Sequence, residues 1–193
     1  LDAWQWQLYS WHFHTTESFA YYWSSHWYSW PLMRVPALYS LHIDDEHMWH
    51  AIYGMANPLL LWSTTALLVP IIGTGIALIF GKKTWLTHRS AWGYLVVGYL
   101  GAYVPWAIIS RPAFFYHYLP AYSLLLLMLA GLGAFLWEKS MVWKWIVLTY
   151  CFLVIGFGLY FLPFVTGSPL TEAQYRDRLW LHSWEVPDGF NWT

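Results

Sequence analysis

Predominantly apolar stretches long enough to cross a bilayer occur four times along this chain, at residues 57–80, 91–109, 119–137 and 141–164. A helix rises roughly 1.5 Å per residue and the hydrocarbon layer is about 30 Å thick, so one crossing takes about 20 mostly apolar residues. Helices are the predicted form, because lipid offers no partner to backbone N–H and C=O groups and a helix satisfies them internally. Pro70 and Pro105 fall inside their stretches and are expected to kink them. Pro120 falls at a helix start, where its missing N–H costs little.

The polar positions between the apolar stretches set an orientation. Lys82, Lys83 and Arg89 lie between the first two, and Lys139 and Lys144 flank the last turn near Glu138. By the positive-inside rule both connections face the cytoplasm. Residues 1–56, 110–118 and 165–193 then share the outer face, with every acidic residue except Glu138 and every histidine except His88. Residues 1–56 are too polar to span and too aromatic to be fully solvated. Trp4, Leu8, Trp11, Phe19 and Tyr22 approximate a helical stripe, which predicts a helix lying along the outer headgroup layer. The competing reading is a soluble helix packed on a further domain. The expected fold is therefore an all-α membrane protein with an outer-face interfacial aromatic segment (1–56), a four-helix transmembrane region (57–164) and an outer-face C-terminal tail (165–193).

Composition sharpens this picture. The chain is 59% hydrophobic and 10% charged, where soluble domains carry about a quarter charged residues. Its 17 tryptophans suit the membrane–water boundary. A formal net charge of -1 argues against a nucleic-acid partner, which requires a basic face. With one cysteine, Cys151, no intrachain disulfide can form. The chain starts at Leu1, so a processed chain or a piece of something longer is expected.

Several clusters carry candidate chemistry. Arg111 stands at the outer end of the second stretch, at the depth of lipid phosphates, and a guanidinium binds phosphate bidentately without losing its charge. The bland alternative is an arginine that snorkels to any headgroup. Tyr116, His117 and Tyr118 follow it with the hydroxyl, imidazole and aromatic groups that hold sugars. Ser24, Ser25 and His26 precede "WYSWPL", where an aromatic belt with water-facing polar members is the plain reading. In "HIDDEHMWH", Glu46, His47 and His50 would share a helix face and could ligate zinc or manganese, although no known metal signature has this spacing. A solvated acidic loop is the favoured reading of that stretch. His47 and His50 are thus weak metal candidates, and a divalent metal is left open. "NWT" at 191–193 matches a glycosylation sequon.

Taken in order, "FH" at 13–14, "WYSWPL" at 27–32, "MANPLLLW" at 55–62, "RPAFFYHYLPA" at 111–121 and "YRDRLWLHSW" at 175–184 resemble the C-terminal four-helix region of the protein O-mannosyltransferases. These are membrane glycosyltransferases of the GT-C type that move mannose from polyprenyl (dolichyl) phosphate to serine or threonine of proteins. The resemblance implies that Arg111 holds the donor phosphate, that Tyr116, His117 and Tyr118 bound the donor site, and that His14, His26 and Trp30 belong to its outer-face wall. It implies a greasy groove between the spans for the isoprenoid tail. Tyr21-Tyr22-Trp23 stands where the family has a His-Pro-Tyr, so no role tied to that histidine transfers. The family's catalytic Asp-Glu pair belongs to an N-terminal half, and Asp44-Asp45-Glu46 is not that motif. No catalytic residue is therefore assigned in this chain, which is expected to be inert alone. Implied partners are the catalytic half or other membrane subunits, the lipid-linked sugar and an acceptor protein. The expected setting is a bacterial plasma membrane, or alternatively the endoplasmic reticulum. The rival reading is a non-catalytic membrane subunit derived from this family.

Overall fold

The computed structural model describes residues 2–16, 21–79 and 89–186, without the side chains of residues 14–16, 71, 72, 74–76, 78, 79, 89 and 90. Lys82, Lys83, His88, Phe19 and the sequon lie outside the described residues, as do the side chains of His14 and Arg89. Among the described residues six α-helices run as α1 Ala3–Thr16, α2 Pro58–Ile79, α3 Arg89–Tyr103, α4 Leu119–Trp137, α5 Met141–Thr166 and α6 Glu172–Arg176. Among the described residues three segments are long and apolar enough to cross a membrane: Ala91–Ile108, Phe115–Trp137 and Met141–Thr166. α2 is 22 residues long, and the apolar part described in full is Pro58–Pro70.

Local chemistry explains where the long helices begin and end. Asn57 Oδ1 accepts hydrogen bonds from the backbone N–H groups of Leu59 (3.0 Å) and Leu60 (3.3 Å), and Pro58 occupies the first helical position of α2. The same side chain donates from Nδ2 to the Val154 carbonyl at 2.9 Å, so the cap of α2 is also a tie to α5. At Pro105 the segment changes form: α3 runs to Tyr103 and a 3-10 turn, Val104–Ile108, carries the proline. α5 ends at Gly167, whose φ of 69° lies in the left-handed region, and a Cβ there would sit 3.0 Å from Ile52 Cγ1.

The all-α expectation requires correction at residues 37–54, which form a β-hairpin. Strand β1, Ala37–Ile43, pairs antiparallel with β2, Trp49–Gly54, in the register Leu38↔Tyr53, Leu41↔Ala51 and His42↔His50, with an irregularity between Leu38 and Ser40. Asp44 makes the turn: its Oδ1 accepts from the N–H groups of Glu46 (3.0 Å) and Met48 (2.8 Å), and His47 takes a left-handed φ of 61°. Leu38, Ala51 and Tyr53 face inward and are buried. The stripe expected over residues 4–22 does not persist either. Within the described residues Tyr22 lies in a turn and not in α1, and Trp6, Tyr9 and Phe13 are exposed like Trp4, Leu8 and Trp11. Aromatic groups therefore surround this helix instead of forming one face.

The chain after α5 docks on the hairpin. Trp49 and Leu170 exchange backbone hydrogen bonds of 2.7 and 3.0 Å. The buried Tyr53 hydroxyl meets the Tyr175 hydroxyl at 2.9 Å and donates to the Trp184 carbonyl at 3.0 Å. Trp184 Nε1 donates to the Met33 carbonyl at 2.8 Å, and Ser183 donates to the Arg34 carbonyl. Trp184, Phe164, Tyr118 and Trp30 are nearly inaccessible, so the core sits where hairpin, tail and helix ends meet.

Candidate functional site

A cleft of about 370 Å³ lies between two segments far apart in sequence. One wall is Ser24, Ser25, His26 and Trp27; the other includes Trp106 and Arg111. The walls are joined by a 2.7 Å bond from the Ser25 N–H to the Ala113 carbonyl. Ser25 Oγ accepts from Trp30 Nε1 at 3.0 Å, which orients the hydroxyl from behind.

The first wall is fixed by a 3-10 turn, Trp27–Leu32, whose carbonyls are claimed by neighbouring helices. Tyr103 donates to the Trp27 carbonyl (3.0 Å), Trp62 Nε1 to that of Leu32 (3.1 Å), and Thr65 to that of Pro31. His26 stacks on Tyr28 at 5.2 Å with an interplanar angle of 8°.

The second wall is an aromatic support under a cation. The Arg111 guanidinium lies 6.0 Å from the Trp106 ring centroid. Trp106 in turn packs on His117 (4.4 Å) and edge-on against Trp30 (5.5 Å). His117 is held through Nδ1, 3.0 Å from both the backbone nitrogen and the carbonyl oxygen of Phe114. No carboxylate lies within 4 Å of Arg111 among the described residues, and no acidic side chain lines the cleft. The site therefore presents a fixed positive charge beside hydroxyl donors and aromatic faces, a chemistry suited to an anionic, partly apolar ligand.

The sequence-derived candidates separate into layers. Arg111 and His26 line the cleft. Trp30 and His117 stand behind it, 6.2 Å apart and nearly parallel, so their contribution is to hold the lining. Tyr116 is exposed and packs on His117 at 4.3 Å. Tyr118 is fully buried among Tyr99, Tyr103 and Tyr122, with its hydroxyl 3.4 Å from that of Tyr99. The His14 side chain lies outside the described residues. Trp106 went unnoticed in the sequence because it sits in the last turn of an apolar stretch; Arg111 five residues after it and the aromatic run from Phe114 were the available signal.

The metal reading of the hairpin does not survive the geometry. Glu46, His47 and His50 lie in a turn and a strand, so the shared helix face does not exist. His50 is engaged at both ring nitrogens, Nδ1 with the Gly167 carbonyl and Nε2 with Asp44 Oδ2, each at 3.0 Å. Both partners accept, so the ring must donate from both nitrogens, which holds the His50 pKa above its usual value and that of Asp44 below its own, chiefly through their mutual hydrogen bond. Among the described residues no group of three or more His, Cys, Asp or Glu side chains is placed to hold a metal ion.

Residues 2–184 match the family model described as the C-terminal four TMM region of protein-O-mannosyltransferase. The chain belongs to this family. It is 28% identical over 173 residues to a polyprenol-phosphate-mannose–protein mannosyltransferase of Mycolicibacterium smegmatis, covering 84% of this chain and 32% of that protein. A Mycobacterium tuberculosis protein of the same name is 25% identical over 201 residues, covering 95% of this chain and 37% of its own length. The chain thus spans about a third of the length of these relatives. Its fold superposes with a TM-score of 0.79 and 21% identity on the S. cerevisiae protein O-mannosyltransferase Pmt1-Pmt2 complex bound to the sugar donor, over 93% of this chain and 26% of that one. Membership of this family and the apolar helices indicate an integral membrane protein.

Proposed function

We propose that this chain is the membrane portion of a protein O-mannosyltransferase and that the Arg111 cleft holds the phosphate of a polyprenyl-phosphate mannose donor. The observation that carries the reading is the convergence of Ser24, Ser25 and His26 on a cleft whose charge is Arg111. When mannose passes to a serine or threonine hydroxyl, the phosphate leaves and gains charge, so a fixed guanidinium stabilises the transition state more than the ground state. Trp106 keeps that cation in place, and His26 with the serine hydroxyls bounds the sugar side, with Tyr116 at the rim. We assign no catalytic base to these residues. The apolar helices, α2 included as a fourth span, provide the surface for the isoprenoid tail, and the cleft faces the outer side of the membrane.

The test is Arg111→Ala in the assembled enzyme, assayed for transfer from polyprenyl-phosphate mannose to an acceptor peptide. Transfer is expected to fall about 100-fold with an unchanged thermal midpoint, since Arg111 makes no hydrogen bond to the described residues. Near-normal transfer by the folded variant overturns the assignment.

A further inference from the structure

A second cation of this chain sits beside a span, away from the Arg111 cleft. Phe152, Leu153, Gly156, Phe157 and Tyr160 line one strip of α5, and Trp180 from the following tail walls it, leaving a groove of about 390 Å³. Gly156 keeps it open: a Cβ there would meet nothing within 4 Å. At the end of the strip nearer Thr166 lies Arg178. Its Nε donates to the Tyr160 carbonyl (2.7 Å), its Nη1 to the Gln174 carbonyl (2.6 Å), and its guanidinium carbon stands 4.4 Å from the Tyr160 ring centroid.

These contacts fix the guanidinium without neutralising it. Nη2 makes no hydrogen bond among the described residues, and no carboxylate there lies within 4 Å; the nearby Glu172 is engaged by Arg176 at 2.8 Å. Tyr160 is six residues inside the end of α5, on the order of 9 Å of axial rise, so the guanidinium is held against the outer part of a candidate span. A cation fixed beside an apolar strip is complemented by an anion that also carries apolar surface. The bilayer supplies a matching anion on a molecule that also carries an apolar chain.

We infer that this groove holds one acyl chain of an anionic phospholipid, whose phosphate meets Arg178. Charge complementarity selects the lipid over an apolar protein helix, which would fill the groove and leave the guanidinium uncompensated. The inference stands apart from the donor site: the two arginines use different helices and different clefts.

Native mass spectrometry of the full-length protein in detergent, with added phosphatidylglycerol, phosphatidylcholine or polyprenyl phosphate, tests it. One phosphatidylglycerol should remain bound at collision energies that strip phosphatidylcholine. Gly156→Leu, whose Cβ meets nothing within 4 Å and whose branch enters the groove, should abolish that retention, and Arg178→Gln should reduce the preference for phosphatidylglycerol about tenfold. Equal retention by the wild type and Gly156→Leu, absence of retained phospholipid, or preferential retention of polyprenyl phosphate overturns the inference. Should Arg178→Gln loosen the tail, Gly156→Leu decides alone.

Discussion

Arg111 and His50 show how far a single residue type can be read and where its surroundings take over. A guanidinium between apolar stretches invites a phosphate, and the structure adds Trp106 beneath it at 6.0 Å. Lysine keeps the charge there but loses the planar fork and the stacking face. Arg111→Lys should therefore transfer mannose at roughly a tenth of the wild-type rate, between wild type and Arg111→Ala; steady-state kinetics on the assembled enzyme give that order directly. His50 drew attention as a ligand, and its neighbours make it a clasp joining β2, the Asp44 turn and the end of α5. A histidine with a raised pKa contributes stability that is fully present below its unfolded value and fades as pH rises through the folded one. Asp44, with a lowered pKa, contributes stability that is present above its unfolded value and fades as pH falls through the folded one. The two conditions overlap between roughly pH 4 and 6.5. Melting curves of wild type and His50→Ala should differ most in that window and converge on both sides of it; a pH-independent difference would rule out the charged clasp.

At the scale of elements, Asn57 illustrates a short motif with two duties. Its carboxamide oxygen caps α2 and its nitrogen reaches Val154 on α5. Asn57→Asp should retain the cap and lose only the interhelical bond, whereas Asn57→Ala should lose both, with the cap worth about 1 kcal/mol. Thermal or denaturant unfolding of the two variants in detergent should rank alanine below aspartate; equal stabilities, or the reverse order, would show that the cap contributes nothing beyond what an aspartate charge costs there. The Asn-Pro start was legible in the sequence because a cap depends on residues three or four apart. The hairpin was not. Its strands, "ALYSLHI" and "WHAIYG", hold aromatic and histidine residues on both sides, and β1 is buried at Ala37 and Leu38 without strict alternation thereafter. The overlooked signal was "DDEHM" between two strand-like runs, a turn whose aspartate satisfies two backbone N–H groups.

For the whole molecule the orientation argument yields a concrete expectation. With Cys151 replaced by alanine, a cysteine introduced at Asp45 should react with a membrane-impermeant maleimide added outside sealed cells, and one at Lys139 should react only after permeabilisation. Labelling of both from outside would overturn the proposed topology. The membrane class, the apolar segments and the helix start at Pro120 came from the sequence alone, because hydropathy and the backbone limits of proline are local properties that neighbouring residues settle among themselves. Tertiary structure decided the rest. It brought Ser24–Trp27 against Trp106 and Arg111, buried Tyr118 while leaving Tyr116 at the surface, paired residues 37–43 with 49–54, and laid Arg178 along α5. Each of these rests on contacts between distant segments, where the competition for burial and for backbone hydrogen bonds is settled only once the chain has closed on itself.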